Sequence, residues 1–105
     1  MRFKKGKLRP KISGLRAEVL LAVILITSLE AELGYEFTIT SVTDGKHSKG
    51  SRHYIGDAVD FRSNDIVSLK IKKDIVKKVR ARLTKDYFFA LEGLGKLNEH
   101  FHLEW

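Results

Sequence analysis

The stretch "NEHFHLEW" at residues 98–105 constrains the fold more than any other part of this chain. His100, His102 and Glu104 alternate with Phe101, Leu103 and Trp105, and a period of two puts one set on each face of a strand. The apolar face belongs to a core. The polar face of an otherwise buried strand is costly unless its groups are paired or hold a metal. A fold built on this strand therefore needs a layer over one face and a use for the histidines on the other.

Two helical patterns supply the layer. Over 15–33, Leu15, Val19, Ala22, Val23, Ile26 and Leu29 recur mostly at spacings of three and four, and Gly34 is a stop signal. Over 65–83, Ile66, Leu69, Ile75, Val76, Val79 and Leu83 face the core and leave a lysine-rich side to solvent. Strands are predicted at "YEFTIT" (35–40), "DAVDF" (57–61), "YFFALEG" and "HFHLEW", the last two joined by the turn "GLGKLN". In "DAVDF", Ala58 and Asp60 share one face and Val59 and Phe61 the other. The expected class is α+β, a small antiparallel sheet packed against two main helices. At 105 residues there is room for one core, so a single domain over 1–105 is expected, with 1–12 as a basic lead-in.

The basic "MRFKKGKLRPK" followed by the apolar "VLLAVILIT" has the outline of a secretory signal. The apolar run is too short to span a bilayer, Glu18 and Glu30 flank it, and the helical pattern continues beyond it. It reads as a buried helix. The expectation is a monomer made in the cytoplasm without a signal peptide and without a membrane span.

With no cysteine there is neither a disulfide framework nor a thiolate metal site, so any metal must be held by histidine and carboxylate. Twenty Lys and Arg against 13 Asp and Glu give a net charge of +7, which favours anionic partners without separating nucleic acid from an acidic cell surface. The basic run at 70–82 reads as the solvated helix face. No nucleic-acid motif or basic groove with stacking aromatics accompanies it, so no specific nucleic-acid partner is expected.

The polar, glycine-containing segment 41–56 is the kind of long loop that carries function. Within "SKGSRHYIGDAVDF" (48–61), His53 stands seven positions before Asp60. A catalytic zinc site uses three protein ligands and leaves a position for water. His53, Asp60 and a histidine of the final strand make such a set. His47, taken alone, reads as structural.

"SRHYIGDAVD" fits the Ser-x-His-x-x-Gly-x-Ala-x-Asp motif of the zinc D-alanyl-D-alanine peptidases, and "EHFH" fits their Glu/Asp-x-x-His element. The chain thus resembles a family that includes D,D-carboxypeptidases, D,D-dipeptidases and the L-alanyl-D-glutamate endopeptidases of phage endolysins, whose fold is shared with the hedgehog signalling domain. The resemblance implies a Zn2+ enzyme hydrolysing peptidoglycan stem peptides, phage-encoded and acting at the bacterial cell wall after lysis or from a virion. It implies His53, Asp60 and His102 as zinc ligands, Glu99 as general base, Ser51 as a substrate contact and Gly56 as the tight turn between the first two ligands. The family arginine that stabilises the oxyanion has no match in "SVTDGKH", leaving Lys46, His47 or Arg52 in its place. Glu99 can serve only if it lies in the turn before the last strand. Otherwise His100 or Glu104 competes for the role. The alternative reading is a zinc-binding structural or recognition domain of the same fold without catalysis.

Overall fold

Helix α1 (Ala17–Ser28) buries Val19, Ala22, Val23 and Ile26, the row that the spacing predicts. Its backbone is interrupted at Leu29, after which the short α2 (Glu30–Leu33) ends at Gly34 with φ +66°, a left-handed stop that glycine adopts without strain. The computed structural model describes residues 1–6, 10, 14–42 and 56–105. Around the helices run β1 (Arg2–Phe3), β2 (Thr38–Ser41), β3 (Ala58–Arg62), α3 (Leu69–Arg82), β4 (Phe88–Glu92) and β5 (His100–Glu104).

The five strands form one sheet in the order β1-β2-β3-β5-β4. The expected sheet was antiparallel throughout, whereas the sheet is mixed: β1 runs parallel to β2, and the remaining pairs are antiparallel. The cause lies in the basic lead-in, where the Arg2 and Lys4 amides donate to the carbonyls of Phe37 and Ile39 and add a strand to the β2 edge.

Helix α3 starts later than its apolar pattern suggests, because Ser68 caps it by accepting from the Ile71 amide at 3.3 Å. Ile66 is buried in the connection before the helix, while Leu69 is exposed and not in the core as expected. Lys72, expected among the solvated lysines, is instead buried. The core lies between the helices and one face of the sheet. Phe37, Phe61, Phe89 and Phe101 fill its centre, with Phe89 stacked on Phe101 at 5.8 Å between ring centroids and Phe37 edge-on to Phe61 at 5.5 Å. Trp105 falls beyond β5 and is partly exposed, and its amide donates to the Asp57 carbonyl. No helix among the described residues is long and apolar enough to cross a membrane.

Two central strands carry the polar face. β3 and β5 pair with Asp60 directly across from His102, Ala58 across from Glu104 and Arg62 across from His100. β3 is anchored at its start: the Gly56 carbonyl accepts from the Arg16 amide at 3.1 Å, and the Arg16 guanidinium meets the Asp57 carboxylate at 2.7 Å. Gly56 has φ +79°, and a Cβ there would run into the Gly14 carbonyl oxygen, so the position needs glycine for both conformation and space.

Candidate metal centre

Register builds the site. On the face away from the helices, β5 presents His100, His102 and Glu104, β3 presents Asp60, and β4 presents Glu92 opposite His100. Asp60 and His102 are Cα partners, and their side chains meet with His102 Nδ1 2.7 Å from Asp60 Oδ1. His100 Nε2 lies 3.6 Å from the same oxygen. One donor atom each from Asp60, His100 and His102 falls within 4.8 Å of the other two, a spacing that suits one metal ion.

The hydrogen bonds at the back of each ring orient these atoms. His100 Nδ1 is 2.6 Å from the Asn98 carbonyl oxygen, which can only accept, so Nδ1 donates there and Nε2 is the atom that faces the cluster. His102 Nε2 is 3.1 Å from Glu104 Oε1, so Nε2 donates there and Nδ1 is the atom that faces Asp60. An outer carbonyl or carboxylate behind each imidazole is the arrangement that fixes tautomer and ring orientation in metal sites. Two imidazole nitrogens and a carboxylate oxygen match the nitrogen and oxygen donors that zinc takes.

Burial opposes charge on His102, but the hydrogen bond it donates to Asp60, then that to Glu104, and the fields of Asp60 and Glu92 outweigh it and raise the ring to about 9. In the metal-free protein His102 is thus an imidazolium with both N–H groups satisfied. Raised above the ordinary histidine value, it contributes stability in full below about pH 6.5, and that contribution is lost as pH rises through about 9. Metal binding requires His102 to give up its Nδ1 proton. Apparent metal affinity should therefore climb close to tenfold per pH unit from about 6.5 to about 9, then level off. Competition titration with a chromophoric chelator across that range checks this, and a flat profile would contradict it.

Asp60 and His102 stand face to face. His100, one of the two final-strand histidines left open as a ligand and also a competing base, joins them. Glu104 is committed to His102. Glu99 does lie in the turn before β5, its amide donating to the Lys96 carbonyl. Its carboxylate, however, accepts from Lys72 Nζ at 2.6 Å and Ser63 Oγ at 3.0 Å. The Lys72 ammonium holds Glu99 below the usual carboxylate range; burial opposes this, and Ser63 and the Gly95 backbone reinforce it. His53, Ser51, Arg52, His47 and Lys46 lie outside the described residues.

Sequence reasoning missed Glu92. The signal was present, because a hairpin closed around residues 93–99 pairs 92 with 100 and sets Glu92 on the histidine face. It also missed the role of Lys72, whose register inside a lysine-rich helix gives no sign that Glu99 awaits it.

No family model, curated protein or solved structure matches this chain.

Proposed function

We propose that this protein is a zinc-dependent peptidase acting on peptidoglycan stem peptides, at the D-Ala-D-Ala or L-Ala-D-Glu bond. The observation that carries the reading is the 2.7 Å approach of Asp60 Oδ1 to His102 Nδ1, across 42 residues of chain, from the two motifs that resemble the zinc D-alanyl-D-alanine peptidases. By that resemblance His53 completes the ligand set, and His100 is the third donor among the described residues. A bound zinc ion supplies Lewis acidity, making water more acidic and polarising a peptide carbonyl. Asp60 and His102, at the centre of the sheet, would hold the ion, with Glu104 and the Asn98 carbonyl orienting the rings. The net charge of +7 suits an anionic cell wall, and a phage origin with action after lysis or from a virion accords with the endolysin likeness.

A non-catalytic metal-binding domain is the second reading. It is favoured by His100: if both His53 and His100 ligate alongside Asp60 and His102, four protein ligands close the site as in structural zinc centres. The lack of an arginine in "SVTDGKH" points the same way.

Incubation with purified peptidoglycan and with soluble stem peptides, read by mass spectrometry for new amine termini and released D-alanine, separates the two. The peptidase reading expects cleavage next to an alanine, stopped by a chelator and restored by zinc. Tight zinc binding with no cleavage would establish the second reading instead.

A further inference from the structure

We propose that the groove between α3 and the outer edge of β4 takes an acidic, extended segment of a partner protein, laid on as an added strand. Among the described residues β4 ends the sheet on this side. The pairing shows which of its backbone groups point outward. The Trp105 amide donates to the Asp57 carbonyl, so Phe101 and Leu103, which share its direction, bond towards β3, while His100, His102 and Glu104 bond towards Glu92, Ala90 and Phe88 of β4. Phe89 and Leu91 therefore turn their amides and carbonyls away from the sheet. Arg80 Nε donates to the Phe89 carbonyl at 2.6 Å, as that direction requires. The Phe89 amide and both backbone groups of Leu91 have no partner among the described residues.

Helix α3 walls this edge with cations. Lys70, Lys73, Lys77 and Arg80 recur at spacings of three and four, which sets them along one flank of the helix. The other cations of α3 are paired: Lys72 with Glu99 at 2.6 Å, Lys78 with Asp74 at 3.0 Å and Arg82 with Glu32 at 3.1 Å. Lys70, Lys73 and Lys77 meet no carboxylate among the described residues. Lys73, Lys77 and Arg80 line a groove of about 400 Å³ together with Val76, Leu91 and Leu94. Arg80 also borders a second hollow of about 420 Å³ that reaches Lys85 and Phe88.

These features select the occupant. An added strand satisfies the open backbone groups of Phe89 and Leu91, and its side chains alternate between the two faces of the sheet. Those on the helix face meet Lys73, Lys77 and Arg80 and are carboxylates. Those on the other face lie beside Phe88 and Ala90 and are apolar. A phosphate polymer would use the cations but neither the strand edge nor the apolar lining. A second copy of this chain is disfavoured, because edge-to-edge pairing brings two lysine flanks together in a protein of net charge +7. The proposal involves neither metal nor catalysis and stands apart from the peptidase reading.

The probe is a short fluorescent peptide alternating glutamate with valine, followed by anisotropy at physiological salt, where remote charges are screened. It is compared with the same peptide N-methylated throughout, which keeps the charges and removes the strand amides, and with inorganic polyphosphate. The glutamate peptide should bind saturably and slow hydrogen exchange at the Leu91 amide. Methylation should weaken binding by about tenfold or more, as should Lys73→Glu combined with Lys77→Glu. Lys4→Glu combined with Lys5→Glu makes the same charge change beside β1, at the opposite end of the sheet, and should leave affinity within about threefold. Thermal unfolding checks that both variants fold. Absence of saturable binding to the parent overturns the proposal. So does equal binding of the methylated peptide, an equal loss in the two lysine pairs, or polyphosphate binding as tight as the peptide's, each of which would leave a solvated basic face that attracts any polyanion.

Discussion

Asp60→Ala should bind zinc far more weakly than the parent, by more than the 10–100-fold that typically follows loss of an outer-shell partner. Asp60 Oδ1 is the oxygen shared by both imidazoles, 2.7 Å from His102 Nδ1 and 3.6 Å from His100 Nε2. Its removal takes away a ligand and also the hydrogen bond that draws His102 towards the cluster. Asp60 belongs to the polar face and not to the apolar core, so the variant should still fold and the loss can be measured on folded protein. Glu104→Ala provides the graded comparison. It leaves the three donor atoms in place but frees His102 Nε2, and its loss should stay within the outer-shell range. Calorimetric titration of both variants checks the order, and equal affinity in Asp60→Ala and the parent would remove Asp60 from the site.

Phe101→Ala should cost about 3–5 kcal/mol, because it empties an aromatic volume from a packed interior. The ring is fully buried, stacked on Phe89 and 6.1 Å from Phe37. For a domain of this size the loss is a large part of a total stability of about 5–15 kcal/mol. It should appear in urea unfolding as a lower midpoint with an unchanged slope. Phe101 also stands between His100 and His102 on the same strand, so a collapsed cavity beneath β5 should weaken zinc binding as well. A cost under about 1 kcal/mol would mean that the site face does not rest on this aromatic layer.

What was legible in the sequence was whatever depends on a short period. Alternation in "HFHLEW" and "DAVDF" assigned the faces correctly, so Asp60 and His102 stand on the side opposite Val59, Phe61, Phe101 and Leu103. Helical spacing found the buried row of α1 and most of that of α3. What depends on pairing was not legible. No local rule announces that residues 2–3 add a parallel strand, because the sequence there is basic and only two residues long. Lys72 shares its composition with its exposed neighbours, and only the approach of Glu99 and Ser63 from elsewhere in the chain explains its burial. Glu92 entered the site through hairpin register, which sets its partner only once the turn length is known.

The polar face of the sheet is proposed to hold one zinc ion between β3 and β5. Anomalous diffraction from crystals of the zinc-loaded protein, recorded on both sides of the zinc absorption edge, tests it most directly. A single strong peak about 2.0–2.2 Å from both Asp60 Oδ1 and His102 Nδ1 is expected. A zinc-loaded crystal whose anomalous peaks all lie away from Asp60 and His102 would contradict it.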